Sequence, residues 1–423
     1  MSDKLGLKEL VAIGIGSMIG GGIFSVMGLA NAVAGHATIF VFLMGGLIAL
    51  FAGYNYARLA VTYRQDGASY TYLQHAFPEN PTIAAFVGWS VIVGYIGTLA
   101  LYAYTFGAYG AAALGYADNP LVRTLLAFAI LSLFLWINLQ GVREAGESED
   151  VIVFFKVAIM MTLGVVGLFY IEPAHFQPLF DKGFPSVLLS GALVFVAFEG
   201  FQLITNAVVE TDDPVKNTPR AIYLSIVIVT LIYVTLALSV LGILTFEEIQ
   251  SAKEYAIAEA LKPIFGEWGF ILASLAALLA TSSAINGTLF GASRMLADIA
   301  QDGIFPSILA RRNHRMIPYY SLLLMFTLSS IFVLFGALES IVAFSSITFL
   351  LVSLAVAIAN LVLRKKTGSN PLIILTSIGL MAATVGLMLW YLYDNDPKTL
   401  TDIGLVYLLI AILFFIFRST KRH

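Results

Sequence analysis

The chain has 423 residues, contains no cysteine, and carries charge on only 12% of its residues. Without cysteine it has neither disulfide bonds nor thiolate metal ligands. A soluble domain has about 25% charged residues, so this chain lacks the polar surface that would cover it in water. Its mean hydropathy is +0.89, and 59% of its residues are hydrophobic. These values are typical of an integral membrane protein.

Motifs of catalytic chemistry are also missing. The sequence has no Walker loop, no HExxH pair and no GxSxG in an elbow context. Its five histidines are scattered and lie mostly near the ends of apolar runs, which favours solvated residues over metal ligands. The longest polar connections, 172–185, 246–265 and 299–317, are too short for a catalytic domain. We therefore expect a protein that is not an enzyme and binds no metal.

Apolar runs near the length of a membrane helix, about 20 residues, recur along the whole chain. The short alternating segments of a β-barrel do not appear. We predict an all-α integral membrane protein with about twelve transmembrane helices. The predicted helices lie near 10–34, 38–62, 82–114, 121–140, 150–171, 186–210, 220–245, 266–298, 318–337, 339–363, 371–393 and 401–418.

Lysine and arginine are distributed unevenly between the two sides of these helices. Most of the 23 lie in connections on the side of both termini. The other side has Arg123, Lys182, Lys253, Lys262 and Lys398. Because cytoplasmic loops collect such charges, we predict a multi-pass protein of the cell membrane with both termini in the cytoplasm.

Five glycines interrupt the first predicted helix, in the segment GIGSMIGGGIF from Gly14 to Phe24. Every backbone polar group in hydrocarbon needs a partner, so a break is tolerated where it lines a cavity. The amides of Gly20, Gly21 and Gly22 would begin a half-helix at its positive dipole end. Such an end binds carboxylates.

The preceding half-helix would end near Ser17 and Met18, where free carbonyls can accept hydrogen bonds from an ammonium group. We interpret the break as a site for both ends of an α-amino acid. Close helix packing is the alternative, because Gly16 and Gly20 have the small-xxx-small spacing.

Transporters built from inverted repeats place a second break in the corresponding helix of the other half. If helices 1–5 repeat as 6–10, the partner is the sixth, GALVFVAFEGFQLITNAVVE. In that helix Gly200 follows Glu199 within an apolar run. A carboxyl group inside a span usually faces a cavity or a partner.

These segments resemble the amino acid–polyamine–organocation transporters. GIGSMIGGGIF is similar to their first-helix signature, and FVAFEGFQLITNAVVETDDPVKNTPRAI to their sixth helix and following loop. DGASYTYLQHAF resembles their inner loop after helix 2, and SSAINGTLFGASRMLADIAQDGIFP their eighth helix. The similarity covers the first eight helices, fades beyond the tenth, and is nearest to the sodium-independent, proton-coupled amino-acid transporters.

The resemblance implies a five-plus-five inverted repeat of the leucine-transporter kind, with helices 1 and 6 unwound at mid-membrane. The first repeat would be 1–171 and the second 186–363, followed by 371–423 with two helices and the cytoplasmic C-terminus. It also implies amino-acid import by alternating access, with protons as the coupling ion and without sodium or another cofactor. The expected partners are an amino-acid substrate and the lipid bilayer, with no nucleic acid and no obligate protein.

The resemblance further assigns substrate contacts. Carboxylate contacts fall on the glycines Gly20, Gly21 and Gly22. Amine contacts fall on the main-chain carbonyls of Met18, Val196 and Glu199. Aromatic positions that line or cover the substrate match Phe195, Phe198 and Phe201, for which core packing is the alternative.

Glu199 departs from the family pattern. Many amino-acid exchangers have an apolar residue at its position and an acid at that of Gln202. Glu199 is therefore either a side-chain partner for a cationic substrate or a protonatable group. The alternative function is an amino-acid exchanger, or a polyamine or organic-cation transporter that uses Glu199 as its cation partner.

Lys156 lies inside an apolar run, DVIVFFKVAIMMTLGVVGLF. If Asp150 opens the helix, Lys156 is about 9 Å deep at 1.5 Å per residue. Its side chain either extends back to the interface or stays buried as a proton carrier. The resemblance favours the carrier. Its ammonium would replace the sodium ion that relatives bind between helices 1 and 8.

The same resemblance places Gly14, Ser282 and Ser283 next to the Lys156 ammonium.

Overall fold

The computed structural model describes residues 4–65, 68–140 and 145–420. These residues are almost entirely helical, and the β-bridge recorded among them joins Leu5 to Thr211. The helices in chain order are α1 (Leu7–Met18), α2 (Gly21–Ala34), α3 (Thr38–Tyr63), α4 (Ala68–Ala76), α5 (Pro81–Ala113), α6 (Pro120–Gln140), α7 (Ala145–Gly167), α8 (Phe184–Leu193), α9 (Leu203–Asn206), α10 (Pro214–Ile243), α11 (Phe246–Ala252), α12 (Ala256–Glu259), α13 (Lys262–Phe265), α14 (Glu267–Gln301), α15 (Tyr319–Phe335), α16 (Leu338–Val362), α17 (Arg364–Thr367), α18 (Pro371–Asn395) and α19 (Pro397–Thr420).

Ten apolar helical segments in the described ranges are long enough to span a membrane, and α15 adds a shorter one. Large apolar side chains on their outer faces lack protein neighbours: Phe169 is 83% exposed, Trp268 73% and Phe335 85%. Exposure of such surfaces to water costs free energy, whereas contact with lipid hydrocarbon does not. The chain is therefore a multi-pass membrane protein.

Burial separates a central set of helices from a peripheral set. In the most apolar window of each segment, 83% of Pro81–Ala113 and 89% of Phe184–Asn206 are buried within the protein. The corresponding share is only 17% for both α6 and the segment Pro397–Phe417 of α19. Hydropathy does not separate these sets, because lipid and protein core accept the same side chains.

Two of the apolar segments are interrupted close to their own midpoints. The first interruption lies between α1, which ends at Met18, and α2, which begins at Gly21. The second follows α8, where the 3₁₀ turn Val194–Phe198 precedes an extended Glu199. Helix resumes there only as the four residues of α9.

Several predicted boundaries are corrected by the structure. Helix α7 begins at Ala145, five residues before Asp150, so Lys156 lies about 16 Å along the helix at 1.5 Å per residue. Helix α10 begins at Pro214, six residues before the predicted 220. Among the predicted cytoplasmic charges, Arg143, Lys421 and Arg422 lie outside the described residues.

The helix bundle has two distinct ends. At the first, which we call the terminal end, Tyr70 donates to Asp302 at 3.0 Å, and Trp89 lies against Phe305 and Phe414. At the opposite end, which we call the loop end, His36 pairs with Asp181 at 3.2 Å. Arg123 also pairs with Glu254 there, at 3.6 Å.

Candidate functional site

The two interruptions pack directly against each other. Gly200 has a φ of +127°, and a Cβ there would lie 2.7 Å from the Ser17 carbonyl carbon. A Cβ on Gly22 would lie 2.8 Å from the Cα of Ala197. Only glycine fits Gly200, because an L side chain rarely adopts that φ. The contact brings together two backbone segments that lie far apart in the sequence.

The other glycines of the first interruption are also in close contact. A Cβ on Gly20 would lie 2.8 Å from the Cβ of Ala284, and one on Gly21 would lie 2.9 Å from both Thr281 and Tyr102. In this structure, close packing therefore accounts for glycine at both positions. The amides of Gly21 and Gly22 are the first donors of α2, which helix geometry leaves without partners inside the helix.

Two hydroxyl groups from other helices meet the interrupted backbones. The Tyr233 hydroxyl of α10 lies 2.9 Å from both the Met18 and Ala197 carbonyl oxygens. It has one proton, so it donates to one of them at a time. The Ser346 hydroxyl of α16 donates to the Leu193 carbonyl at 2.7 Å and accepts from the Val196 amide at 3.1 Å.

Two of the three carbonyls predicted to bind a substrate amine already accept internal hydrogen bonds. Met18 accepts from the Gly20 amide at 2.9 Å in addition to its contact with Tyr233. Val196 accepts from the Glu199 amide at 3.2 Å. These bonds satisfy backbone groups that the interruptions leave without helical partners.

The three predicted aromatic residues Phe195, Phe198 and Phe201 are fully buried. The Phe198 ring packs edge-to-face on Tyr233, with centroids 5.2 Å apart. Phe201 makes the same kind of contact with Tyr56 at 5.5 Å. Phe198 and Phe201 thus have the packing contacts that the alternative interpretation expects.

Glu199 lies at the centre of the second interruption and is only 3% exposed. Its Oε1 is buried and has no hydrogen-bond partner. The following amide, of Gly200, donates to the Gln202 side chain at 3.2 Å instead. Gln202, singled out in the sequence only for departing from the family pattern, therefore stabilises the turn.

Lys156 is fully buried, and its Nζ donates to the Gly16 carbonyl at 2.8 Å. Gly16 is among the last residues of α1, whose carbonyls have no partner inside the helix. A cation near the C-terminal end of α1 also interacts favourably with the helix dipole. A Cβ added to Gly14 would lie against Ser225 and Ile204.

Ser282 and Ser283 lie on α14, which packs against α7. Gly16 was not among the predicted partners of Lys156. In the sequence, only the small-xxx-small spacing of Gly16 indicated that another helix approaches closely there. In the structure Val153 of α7 makes that approach, because a Cβ on Gly16 would lie 2.7 Å from its Cγ2.

Two large cavities lie at the two ends of the bundle. One of about 660 Å³ at the loop end is lined by Glu247, Glu259 and Lys262, among others. Another of about 560 Å³ at the terminal end is lined in part by Tyr70 and Asp302. In the described residues, the direct contacts of Gly200 with Ser17 and of Gly22 with Ala197 hold the interruptions in a closed arrangement.

Comparison with known proteins gives a family match across the chain. The amino acid permease family matches residues 5–421. The chain is 28% identical to the inner membrane transport protein YbaT of Escherichia coli over 99% of this chain and 97% of that protein. It is 26% identical to the branched-chain amino acid permease BcaP of Bacillus subtilis, covering 88% and 83%. A large neutral amino acids transporter small subunit 2 from Oryctolagus cuniculus is 30% identical, covering 73% and 60%.

Proposed function

This chain belongs to the amino acid permease family, and from that premise we propose that it imports amino acids with protons by alternating access. The family and the names of its relatives make it a transporter and not an enzyme. The contact between the two helix interruptions supports the substrate site. There α2 begins beside the carbonyls that end α1, so amide donors and carbonyl acceptors lie close together.

The substrate carboxylate would bind the amides of Gly21 and Gly22, and its amine the carbonyls of Met18 and Val196. In the closed arrangement these carbonyls accept from internal donors. A carbonyl oxygen can accept two hydrogen bonds, so a substrate ammonium can bind Val196 beside the Glu199 amide. It can bind Met18 beside the Gly20 amide when Tyr233 donates to Ala197 instead. Relatives named for branched-chain and large neutral amino acids favour a neutral substrate.

The proposed topology has twelve crossings. The segment Gly21–Tyr63 has 43 residues, which extend about 65 Å as helix, twice the hydrocarbon thickness of about 30 Å. It turns back at the 3₁₀ segment Gly35–Ala37. Counting it as two crossings and adding α15 gives twelve, with the interruptions in the first and sixth. This order supports a five-plus-five inverted repeat, with the terminal end in the cytoplasm.

Lys156 is the proposed coupling group. Its ammonium joins α7 to the end of α1 through the Gly16 carbonyl. A charge-assisted bond of this kind is roughly twice as strong as a neutral one. Loss of the proton would weaken the contact and release α1 for the rocking step. A resident cation at this position also removes the need for sodium.

The test is uptake into liposomes that contain the purified protein, under an inward proton gradient and without sodium. Labelled leucine, alanine, glutamine, arginine and putrescine are compared in wild type, Lys156→Ala and Lys182→Ala. Lys182 is exposed and serves as the matched control. Wild type and Lys182→Ala should accumulate α-amino acids, up to about tenfold per pH unit for one proton per substrate. Lys156→Ala should bind substrate but not accumulate it.

Uptake that ignores pH and requires an internal counter-substrate would contradict the proposal and identify an exchanger. Preference for putrescine over α-amino acids would identify an organic-cation carrier.

A further inference from the structure

The Glu199 carboxyl group occupies an unusual environment. It is 3% exposed, and its Oε1 has no donor within hydrogen-bond distance. The ion pairs found among the described residues do not include Glu199. Lys156, the buried cation of α7, donates to Gly16. Burial of an ionised carboxylate without a partner costs far more free energy than burial of the neutral acid.

Three tyrosines lie near this carboxyl group, Tyr56 of α3 and Tyr95 and Tyr102 of α5. Phenols near neutral pH are themselves uncharged. Within the described part of the chain, the surroundings of Glu199 therefore offer dipoles and hydroxyl groups but no paired cation. They tolerate a neutral acid and disfavour a carboxylate.

A small enclosed cavity adjoins this cluster. Its lining includes Tyr56, Tyr95, Gln202, Ser69 and Asn206. The Tyr56 hydroxyl lies 2.9 Å from the Ser69 hydroxyl, and the Asn206 Oδ1 is buried without a partner. Ser69 lies at the start of α4, whose next residue, Tyr70, bonds to Asp302 at the terminal end. The cavity thus lies beside two of the tyrosines near Glu199, and its lining residue Ser69 precedes Tyr70 of the terminal end.

The size of the cavity limits its occupant. It offers about 10 Å³ to the centre of a water molecule, the lower limit for holding one water. An alkylammonium or guanidinium group of a substrate does not fit there. This cavity therefore has room for one water molecule and none for a cationic group of a substrate.

From this geometry we propose that Glu199 is a proton-binding site, neutral in the closed transporter, that exchanges its proton with the terminal end through this cavity. The acid O–H bond breaks as a water molecule accepts the proton, which leaves a carboxylate on Glu199, and the resulting hydronium ion releases a proton towards the terminal end. Its site lies in the second interruption, separate from the contact between Lys156 and Gly16. Only the transport readout below rests on the proposed function.

The first test is infrared spectroscopy of the purified protein at pH 7, which detects the C=O stretch of a protonated carboxyl group. The wild type should show this band, and Glu199→Gln should lose it. The matched control is Glu254→Gln, because Glu254 is also buried, at 4% exposed, but pairs with Arg123. That variant should keep the band. Glu199→Asp retains an acid and should show a shifted band, which provides the test if the glutamine variant does not fold.

The second test is amino-acid exchange at equal pH on both sides of the liposome. Wild-type exchange should fall about tenfold per pH unit once Glu199 ionises, and Glu199→Gln should exchange without that fall. A band that survives in Glu199→Gln, or is absent from the wild type, overturns the proposal. Selective loss of arginine and putrescine exchange in Glu199→Gln also overturns the proposal and would identify Glu199 as the partner of cationic substrates. If the wild type carries no amino acid, the proposed function fails, while the infrared result still decides the state of Glu199.

Discussion

Adjacent serines of α16 have different partners. Ser346 bridges to the second interruption through the Leu193 carbonyl and the Val196 amide. Ser345 instead donates to Ile341, one turn earlier in its own helix, at 2.8 Å. The Ser346 hydroxyl satisfies backbone groups that have no helical partner. The Ser345 hydroxyl adds a hydrogen bond to a carbonyl within a regular helix.

We therefore expect Ser346→Ala to weaken substrate binding. It leaves a buried carbonyl and a buried amide of the second interruption unsatisfied, at a cost of about 1–3 kcal/mol. The share of this cost that falls on the substrate-bound geometry lowers the affinity, by up to about 150-fold. Ser345→Ala should cost less than about 1 kcal/mol. Equilibrium binding of labelled substrate in detergent measures both. Equal losses in the two variants would mean that Ser346 only contributes to packing.

Lys156 illustrates how position along a helix differs from environment. Its position along α7 depends on where that helix begins, at Ala145, and its partner depends on where α1 ends. Gly16 presents a carbonyl without a helical partner because α1 stops two residues later, at Met18. The interruption thus creates the acceptor that Lys156 uses.

At the scale of elements, the two interruptions arise in different ways. The first lies in a glycine-rich segment, with Gly20, Gly21 and Gly22 in succession. The second has only Gly200, and the side chains of Ser346 and Tyr233 from other helices stabilise it. Weak helix propensity therefore contributes to the first interruption, whereas tertiary hydrogen bonds maintain the second.

Gly200→Ala is expected to separate the two interruptions. The φ of +127° strains an alanine, and its Cβ would collide with Ser17 and Met18. Strain and overpacking together should destabilise the fold by about 2–6 kcal/mol. Gly291→Ala is the matched control, because Gly291 lies within α14 and a Cβ added there would meet open space. Equilibrium unfolding in mixed micelles compares them, and equal stability of the two variants would contradict the expectation.

At the scale of the whole molecule, the absence of cysteine makes the topology directly testable. A single introduced cysteine is the only thiol that a membrane-impermeant maleimide can label. Lys182 and His314 are both exposed, Lys182 beside Asp181 at the loop end and His314 in the connection after α14. These two positions should lie on opposite sides of the membrane.

In intact cells, Lys182→Cys should be labelled, and His314→Cys should be labelled only after permeabilisation. The unsubstituted chain is the control and should remain unlabelled. Labelling of both variants in intact cells would contradict the twelve-crossing topology, and the reverse pattern would invert the orientation.

The sequence by itself determined the membrane class, the apolar segments and the location of the first interruption. These properties depend on composition and on neighbours along the chain, such as the glycines between Gly14 and Gly22. It also identified Glu199 and Lys156 as unusual, because a charged residue in an apolar run is visible without a fold.

Only the tertiary structure decided what these residues contact. Lys156 meets Gly16 across 140 positions, Tyr233 meets Met18 across 215, and Ser346 meets Val196 across 150. The sequence also could not separate central α5 from peripheral α6, since lipid and protein core select the same apolar side chains. Contacts of this range depend on how helices cross, and no local pattern encodes that crossing.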